Sequence, residues 1–317
     1  MSDQPDTALS FAVMGTGGVG GYFGARLASA GAKVAFIARG PHLEALRTTG
    51  LGIKSALGDV HVHPIEATDD PRCVGPVDVV LFTVKLYDTE AAAAAIAPMM
   101  GDNTIVLSLQ NGVDAEATLA SRLGDKHIMG GASYIFSAIE EPGVIRHTGQ
   151  MARIVFGELG GQPSTRAEAL FGAFKTAGIE AVLSPTIDLE LWRKFTFLAS
   201  IAAICGQARQ SLGPVLANAD TRRRLAAAMA EVTAVARAKG IALDEEVVEA
   251  HLAFADTLDS TMKPSLLQDL ERGARLEVEN LSGTVVRFGA ELGIAVPNHA
   301  AAYAHLKNYA DGKQPIS

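Results

Sequence analysis

Cysteine is nearly missing, with two in 317 residues, Cys73 and Cys205. They stand far apart and in no metal-ligand spacing, so a disulfide scaffold and a cysteine metal site are both excluded. They read as free thiols of a reducing compartment. Aromatic residues are few, at 6%, against 48% hydrophobic and 20% charged, the balance of a soluble globular chain. An excess of basic residues is also lacking: 27 Lys and Arg against 35 Asp and Glu leave a net charge of −8. That argues against a nucleic-acid or general polyanion binder, while still allowing local cations that hold a phosphorylated cofactor. Long apolar runs are absent too. The longest, Phe195 to Cys205, is too short to span a bilayer. The first residues, Met1-Ser2-Asp3-Gln4-Pro5-Asp6, are acidic and polar, unlike a signal peptide, so the expected compartment is the cytoplasm.

Glycine, by contrast, is plentiful at 32 residues, and the informative ones stand together. In Phe11-Ala12-Val13-Met14-Gly15-Thr16-Gly17-Gly18-Val19-Gly20-Gly21-Tyr22-Phe23-Gly24 a short apolar run gives way to G-x-G-x-x-G and then to helix formers. Gly15 allows a sharp turn, Gly17 a close approach of backbone to a pyrophosphate, and Gly20 close packing of helix on strand. Gly24 is expected to help that packing one turn later. The anion would sit at the helix N-terminus, where unpaired N–H groups and the helix dipole favour negative charge. Strand before and helix after are the context that lifts the motif above a structural turn.

Strand and helix patterns alternate through residue 183, which predicts a parallel sheet with helices on both faces. A second strand, Lys33 to Ala38, is followed by Arg39. An acid about twenty residues past the glycines would select NAD through the ribose 2′-hydroxyl. Arg39 stands 19 residues after Gly20 instead, and a guanidinium suits a 2′-phosphate bidentately. NADP(H) is therefore the expected cofactor, with a plain surface arginine as the alternative. The strand Val77 to Val84 ends at Lys85, and Thr104 to Leu109 ends at Gln110-Asn111-Gly112. Ligands on open α/β sheets bind beyond the carboxyl ends of strands, so Gly15, Arg39, Lys85 and Asn111 would gather at one edge. Singly, Lys85 is a solvated lysine and Asn-Gly is turn chemistry.

Other features read as structure. The run Ala91 to Ala95 after Asp88-Thr89-Glu90 is a capped helix packed on the sheet. His61 and His63 would share one face of a strand but have no acidic or cysteine partner nearby, so no metal site is expected. Ala152 to Glu158 reads as strand, and Gly161 to Gly178 as loop and helix with Ser164 as a cap.

From Pro185 helical periodicity takes over, which places a boundary near 184–186. Lys194 lies in an almost wholly apolar helix, with Leu198 and Ile201 at i+4 and i+7. Such a lysine is commonly at a rim, reaching water. Desolvated beside a cofactor, its pKa would fall toward values useful for proton transfer. Further helices are expected from Asp220 to Lys239, stopped by Gly240, and from an Asp244 N-cap to about Leu258. Pro264-Ser265 opens another element. A long helix after Gly273 carries an apolar stripe at Val278, Leu281, Val285, Phe288 and Leu292. Glu277 and Asn280 flank it, and on pattern alone Glu277 is a solvated helix residue.

Taken together, the residues resemble the ketopantoate reductase (2-dehydropantoate 2-reductase) family over nearly the full length. The resemblance lies in Gly15-Thr16-Gly17-Gly18-Val19-Gly20, Arg39, Thr83-Val84-Lys85, Gln110-Asn111-Gly112, Glu190-Leu191-Trp192-Arg193-Lys194, Ser265-Leu266-Leu267-Gln268-Asp269 and Glu277 through Pro297. It implies an N-terminal Rossmann domain with a doubly wound parallel sheet (1–184), a C-terminal all-helical domain (185–317), and NADPH-dependent reduction of a 2-oxo acid to a 2-hydroxy acid. By position, Lys194 resembles the general acid and Glu277 the acidic partner that orients substrate and lysine. Asn111 would contact substrate or nicotinamide, and Ser265 the substrate carboxylate. Arg39 and Lys85 would hold the 2′-phosphate end. The implied cofactor set is thus Gly15, Gly17, Gly18, Gly20, Arg39, Lys85 and Asn111.

The sequence departs from the family at one informative place. Four and eight residues past the lysine, where the family usually has asparagines, stand Leu198 and Ala202. An apolar wall cannot pair a buried hydroxyl, and leaving one unpaired costs roughly 1–3 kcal/mol. The expected reading is therefore a paralogue acting on a ketopantoate-like 2-oxo acid, with a more apolar pocket that favours a 2-oxo acid other than ketopantoate itself. The rival readings are another hydroxy-acid dehydrogenase of this architecture, or an NADPH-binding redox sensor without turnover. A homodimer is compatible with the sequence but not specified by it.

Overall fold

A computed structural model describes residues 9–312; the reading of Met1 to Asp6 lies outside the described residues. The chain divides into two compact units, one of residues up to Gln110 together with Asp114–Asp188, the other of Asn111–Val113 and the chain from Leu189 onward. The division falls a few residues past the expected boundary, and it assigns part of the Asn-Gly loop to the second unit.

In the first unit, β1 (Phe11–Met14), α1 (Gly18–Ser29), β2 (Val34–Ile37) and α2 (Gly40–Thr48) come first. They are followed by β3 (Leu51–Lys54), β4 (Val60–Val62), β5 (Glu66–Thr68), β6 (Val77–Phe82), α3 (Thr89–Ala95), β7 (Met100–Ser108) and α4 (Ala115–Leu123). The long strands β8 (Ile128–Glu141) and β9 (Val144–Glu158), then α5 (Thr165–Thr176) and β10 (Glu180–Leu183), complete it. One sheet runs β4-β3-β9-β8-β7-β6-β1-β2-β5, with β10 beside β9.

The centre of the sheet is parallel, as the alternation of strand and helix predicts. Met14 lies opposite both Ile37 and Phe82, and Phe82 opposite Ser108, so β2, β1, β6 and β7 end level. β1 is buried on both faces, as expected of a continuous apolar strand in a parallel sheet. Its side chains alternate between two cores. Phe11 and Val13 pack with Phe23, Leu27, Leu46 and Phe174 from α1, α2 and α5. Ala12 and Met14 pack with Ala92, Ala93 and Leu119 from α3 and α4. That division is the double winding itself. The pattern did not foretell the antiparallel hairpin β8–β9, nor the antiparallel pair β3–β4. His63 lies past the end of β4, so the two histidines do not share a strand face; both are exposed.

The second unit is helical, and no strand follows β10 among the described residues. It comprises α6 (Ile187–Ala208, whose first two residues still belong to the first unit), α7 (Leu212–Ala217), α8 (Ala219–Ala238), α9 (Val247–Thr257), α10 (Ser265–Glu271), α11 (Thr284–Leu292) and α12 (Pro297–Leu306). Ser164 caps α5 as expected, accepting from the Ala167 N–H. Asp88 at the start of α3 makes no side-chain cap bond. Asp244 is no cap either: α9 starts later, and the carboxylate instead pairs with Arg193 at 3.0 Å. The helix expected after Gly273 starts late, through a π-turn at Glu279–Gly283 that leads into α11. Of the apolar stripe, Val278, Leu281, Val285 and Phe288 are buried, while Leu292 is exposed.

Candidate functional site

In the first unit the glycine turn follows β1 directly. Gly15 has φ +99°, a left-handed conformation, and a Cβ there would stand 2.9 Å from the Val84 backbone nitrogen. Only glycine fits both demands. The Thr83 hydroxyl donates to the Gly15 carbonyl at 2.7 Å, and Thr16 donates through N–H and hydroxyl to Ile37 O, each at 3.0 Å. The turn is thereby fixed to the ends of both neighbouring strands. At Gly20 a Cβ would stand 2.5 Å from the Gly15 carbonyl and 2.7 Å from Val13, so α1 could not lie this close on β1 with any larger residue. Gly18 packs against the backbone of β8 at Ser137, which gives it a structural reason of its own. Around Gly17 there is open space, and this glycine is the N-cap of α1 with no side-chain cap bond. No acidic residue occupies the first turn of that helix.

These features fit a pyrophosphate: open space at Gly17 and N–H donors at a helix start that no side chain takes up. Arg39, the N-cap residue of α2, is exposed at the end of β2. Lys85, half-buried, follows β6 and precedes a tight turn over Leu86–Asp88. The same level row of strand ends therefore carries Gly15, Arg39 and Lys85, with Asn111 three residues beyond Ser108.

In the second unit Lys194 is half-buried on α6, and its Nζ donates to Asn111 Oδ1 at 2.9 Å. Its neighbours fix the rotation of the helix. Trp192 packs edge-on against Phe195 and tilted against Phe288 of α11. Arg193 pairs with Glu190 at 2.6 Å and with Asp244, and its carbonyl meets His251 Nε2 at 2.9 Å. Leu198 is half-buried, and Ile201 and Ala202 are buried, so the face running on from the lysine is apolar.

Glu277 is not the solvated residue that the helical pattern suggested. It is only 6% exposed, and its carbonyl accepts from the N–H groups of Asn280 and Leu281 as the π-turn begins. Ser265 starts α10 and is exposed.

Among the buried ionisable groups that the sequence reading passed over are Glu116 and His299. Glu116, in the first turn of α4, is pushed up to about 7 by burial, with Asp114 and Asp188 adding to the effect. His299, on α12, is pushed down to about 4 by burial. Each sits on a helix face where its residue type predicts exposure, so no local signal marked it. Among the described residues no cluster of His, Cys, Asp and Glu could hold a metal ion, and no helix is long and apolar enough to cross a membrane.

The doubly wound sheet, its glycine turn and the helical second unit define an oxidoreductase of the dinucleotide-binding class. Comparison with known proteins makes this specific. The family model described as "Ketopantoate reductase PanE/ApbA" matches residues 11–161, and its C-terminal counterpart matches residues 186–310. The chain belongs to the ketopantoate reductase family, whose named members are oxidoreductases acting on a CH–OH group. It is 32% identical to an uncharacterized oxidoreductase of Bacillus subtilis, across 95% of this chain and 99% of that one. The crystal structure of a PanE/ApbA family ketopantoate reductase from Ralstonia eutropha superposes with TM-score 0.88 at 33% identity, covering 95% and 98% of the two chains. A D-mandelate dehydrogenase, solved with NADH and anilino(oxo)acetate, shares the fold at TM-score 0.88 and 21% identity over 95% and 98% of the chains.

Proposed function

We propose that this family member reduces a 2-oxo acid to the 2-hydroxy acid with NADPH, in the cytoplasm, with Lys194 as proton donor. The observation that carries the reading is the Lys194–Asn111 hydrogen bond at 2.9 Å. An amide oxygen is too weak a base to take the ammonium proton, so it fixes the donor in place without discharging it. Hydride arriving at the carbonyl carbon leaves an alkoxide. The ammonium of Lys194 gives that oxygen a proton and is later reprotonated from water. The sum is one 2-oxo acid, one NADPH and one proton converted to one 2-hydroxy acid and NADP⁺. A positioned acid of this kind contributes typically about 10²–10⁴-fold in rate.

The nicotinamide, when bound, supplies the hydride. On this reading residues 1–184 hold the cofactor. Gly15, Gly17 and the start of α1, with Gly18 and Gly20 keeping the turn tight, take the pyrophosphate. Arg39 and Lys85 take the 2′-phosphate, an anion that a guanidinium binds in paired fashion. The helical residues 185–317 hold the substrate. Glu277 orients substrate and lysine, Ser265 binds the substrate carboxylate, and Asn111 works beside the reacting centre. Leu198 and Ala202, apolar and one and two turns past Lys194, support a substrate whose remaining chain bears no hydroxyl.

Steady-state kcat/KM for ketopantoate, branched and linear 2-oxo acids, each with NADPH and with NADH, tests this. The expected result is a preference for NADPH and for an unhydroxylated 2-oxo acid. Ordinary efficiency with ketopantoate above the others refutes the narrowed substrate. A preference for 3-hydroxy acids in the reverse direction favours a different dehydrogenase. Protein that binds NADPH yet is inert across the panel is a sensor.

A further inference from the structure

Behind Glu277 lies a buried polar network that the reaction does not itself use. The chain leaves Glu277 through Val278 into the π-turn, closed by the Gly283 N–H donating to the Val278 carbonyl at 2.9 Å. Such widened turns are rare and frequently stand at functional sites. Ser282, at the inside of the turn, is 2% exposed, and its hydroxyl lies 3.2 Å from Nδ1 of His299, which is wholly buried. The ring is neutral there, since burial lowers its pKa, partly offset by the Ala228 backbone. A neutral ring has one donating and one accepting nitrogen, and the Ser282 hydroxyl can take the complementary role at Nδ1 in either tautomer. His299 is itself held from α8. Glu231 accepts from the His299 N–H at 3.0 Å and from Asn298 through N–H and side-chain amide at 2.8 and 2.7 Å. From the other side of the turn, Tyr303 donates to Glu279 at 2.6 Å.

We propose that His299, acting through Ser282, is a positioning residue for Glu277: it holds the π-turn that keeps this carboxylate buried and aimed. The inference rests on the role given to Glu277 above. A side chain on an unsecured turn would wander, and misplacement of about 1 Å can cost up to about 10²-fold in rate. The Ser282–His299 contact, both residues buried, is what limits that freedom.

The test uses the full chain with its best 2-oxo acid and NADPH. Ser282→Ala and His299→Leu are expected to lower kcat about tenfold, with NADPH affinity, read by fluorescence titration, unchanged. Hydrogen–deuterium exchange should quicken at the amides of residues 279–283 in both variants. His299→Asn keeps an acceptor near Ser282 and should recover most of the lost rate. Combined with Glu277→Gln, Ser282→Ala should cause little further loss, because two changes on one path do not add. Unaltered kcat or unaltered exchange in Ser282→Ala overturns the inference even if His299→Leu fails to fold. So does full additivity with Glu277→Gln. If Glu277→Gln is itself fully active, the role of Glu277 fails, and this inference falls with it. If Glu277→Gln is impaired while Ser282→Ala is not, only the present inference falls.

Discussion

Lys194 and Asn111 stand 83 positions apart in the chain, and the lysine Nζ meets the asparagine Oδ1 at 2.9 Å. One follows the end of β7 and the other lies on α6, so the bond forms only once the tertiary fold is made. Because the glycine turn belongs to separate elements, proton donation and cofactor binding should separate under mutation. Lys194→Ala is expected to lower kcat by about 10²–10⁴-fold. The Kd for NADPH should stay within about twofold, since the pyrophosphate site is untouched. Stopped-flow turnover with parallel fluorescence titration measures both. A parallel loss of affinity would place the lysine on the cofactor instead.

Arg39 gives the second test. It stands at the N-cap position of α2, makes no side-chain cap bond and is exposed, so removing its side chain should disturb little of the fold. A charge-assisted bond to phosphate contributes roughly 1.5–3 kcal/mol. Arg39→Ala should therefore raise KM for NADPH by about tenfold or more, while KM for NADH changes far less. Equal losses with both nucleotides would leave Arg39 as an ordinary surface residue and the cofactor choice open.

The contrast between these residues and the overlooked ones is physical. The glycine turn, Arg39 and Lys85 were legible because each follows a short apolar run, and strand ends in a parallel sheet share one edge. The hairpin β8–β9 was not legible, because its outer half leaves Phe136 and Ile139 exposed and its register is set by a partner strand. Glu277 was read as solvated because a helical pattern values an acid by its type. It stands where the chain enters a π-turn, which no local period encodes. Asp244 has the composition of a cap, yet Arg193, 51 positions away, takes its carboxylate. Lys194 stood out only as a lysine among apolar neighbours, and its acceptor lay far off in sequence.

The two thiols should behave unlike each other. Cys73 is exposed, whereas burial pushes the Cys205 thiol up to about 12. A thiol reacts as its thiolate. Titration with an aromatic disulfide reagent at pH 8 should therefore label Cys73 quickly in the native protein, and Cys205 only after denaturation. Prompt labelling of both would mean that α6 opens around Cys205.

Glu116 sets a pH dependence whose sign is opposite to that of an ordinary salt-bridged acid. It is buried, and its Oε2 lacks a hydrogen-bond partner among the described residues. In the folded chain it holds its proton up to about 7, against an ordinary value of 4.5. Between those values the native state binds more protons than the unfolded one, so this group's contribution to stability falls as pH rises. The contribution is level below the lower value, and its loss is complete above the higher one, at about 3 kcal/mol in total as an upper figure. Glu116→Gln is a permanent mimic of the neutral form. It should melt close to wild type at pH 4.5 and above it at pH 8, with the gap opening between. Urea or thermal melts of the two proteins across that range measure the difference directly, and the comparison cancels every other titrating group. A gap that closes as pH rises would mean that Glu116 is ionised and paired in the fold.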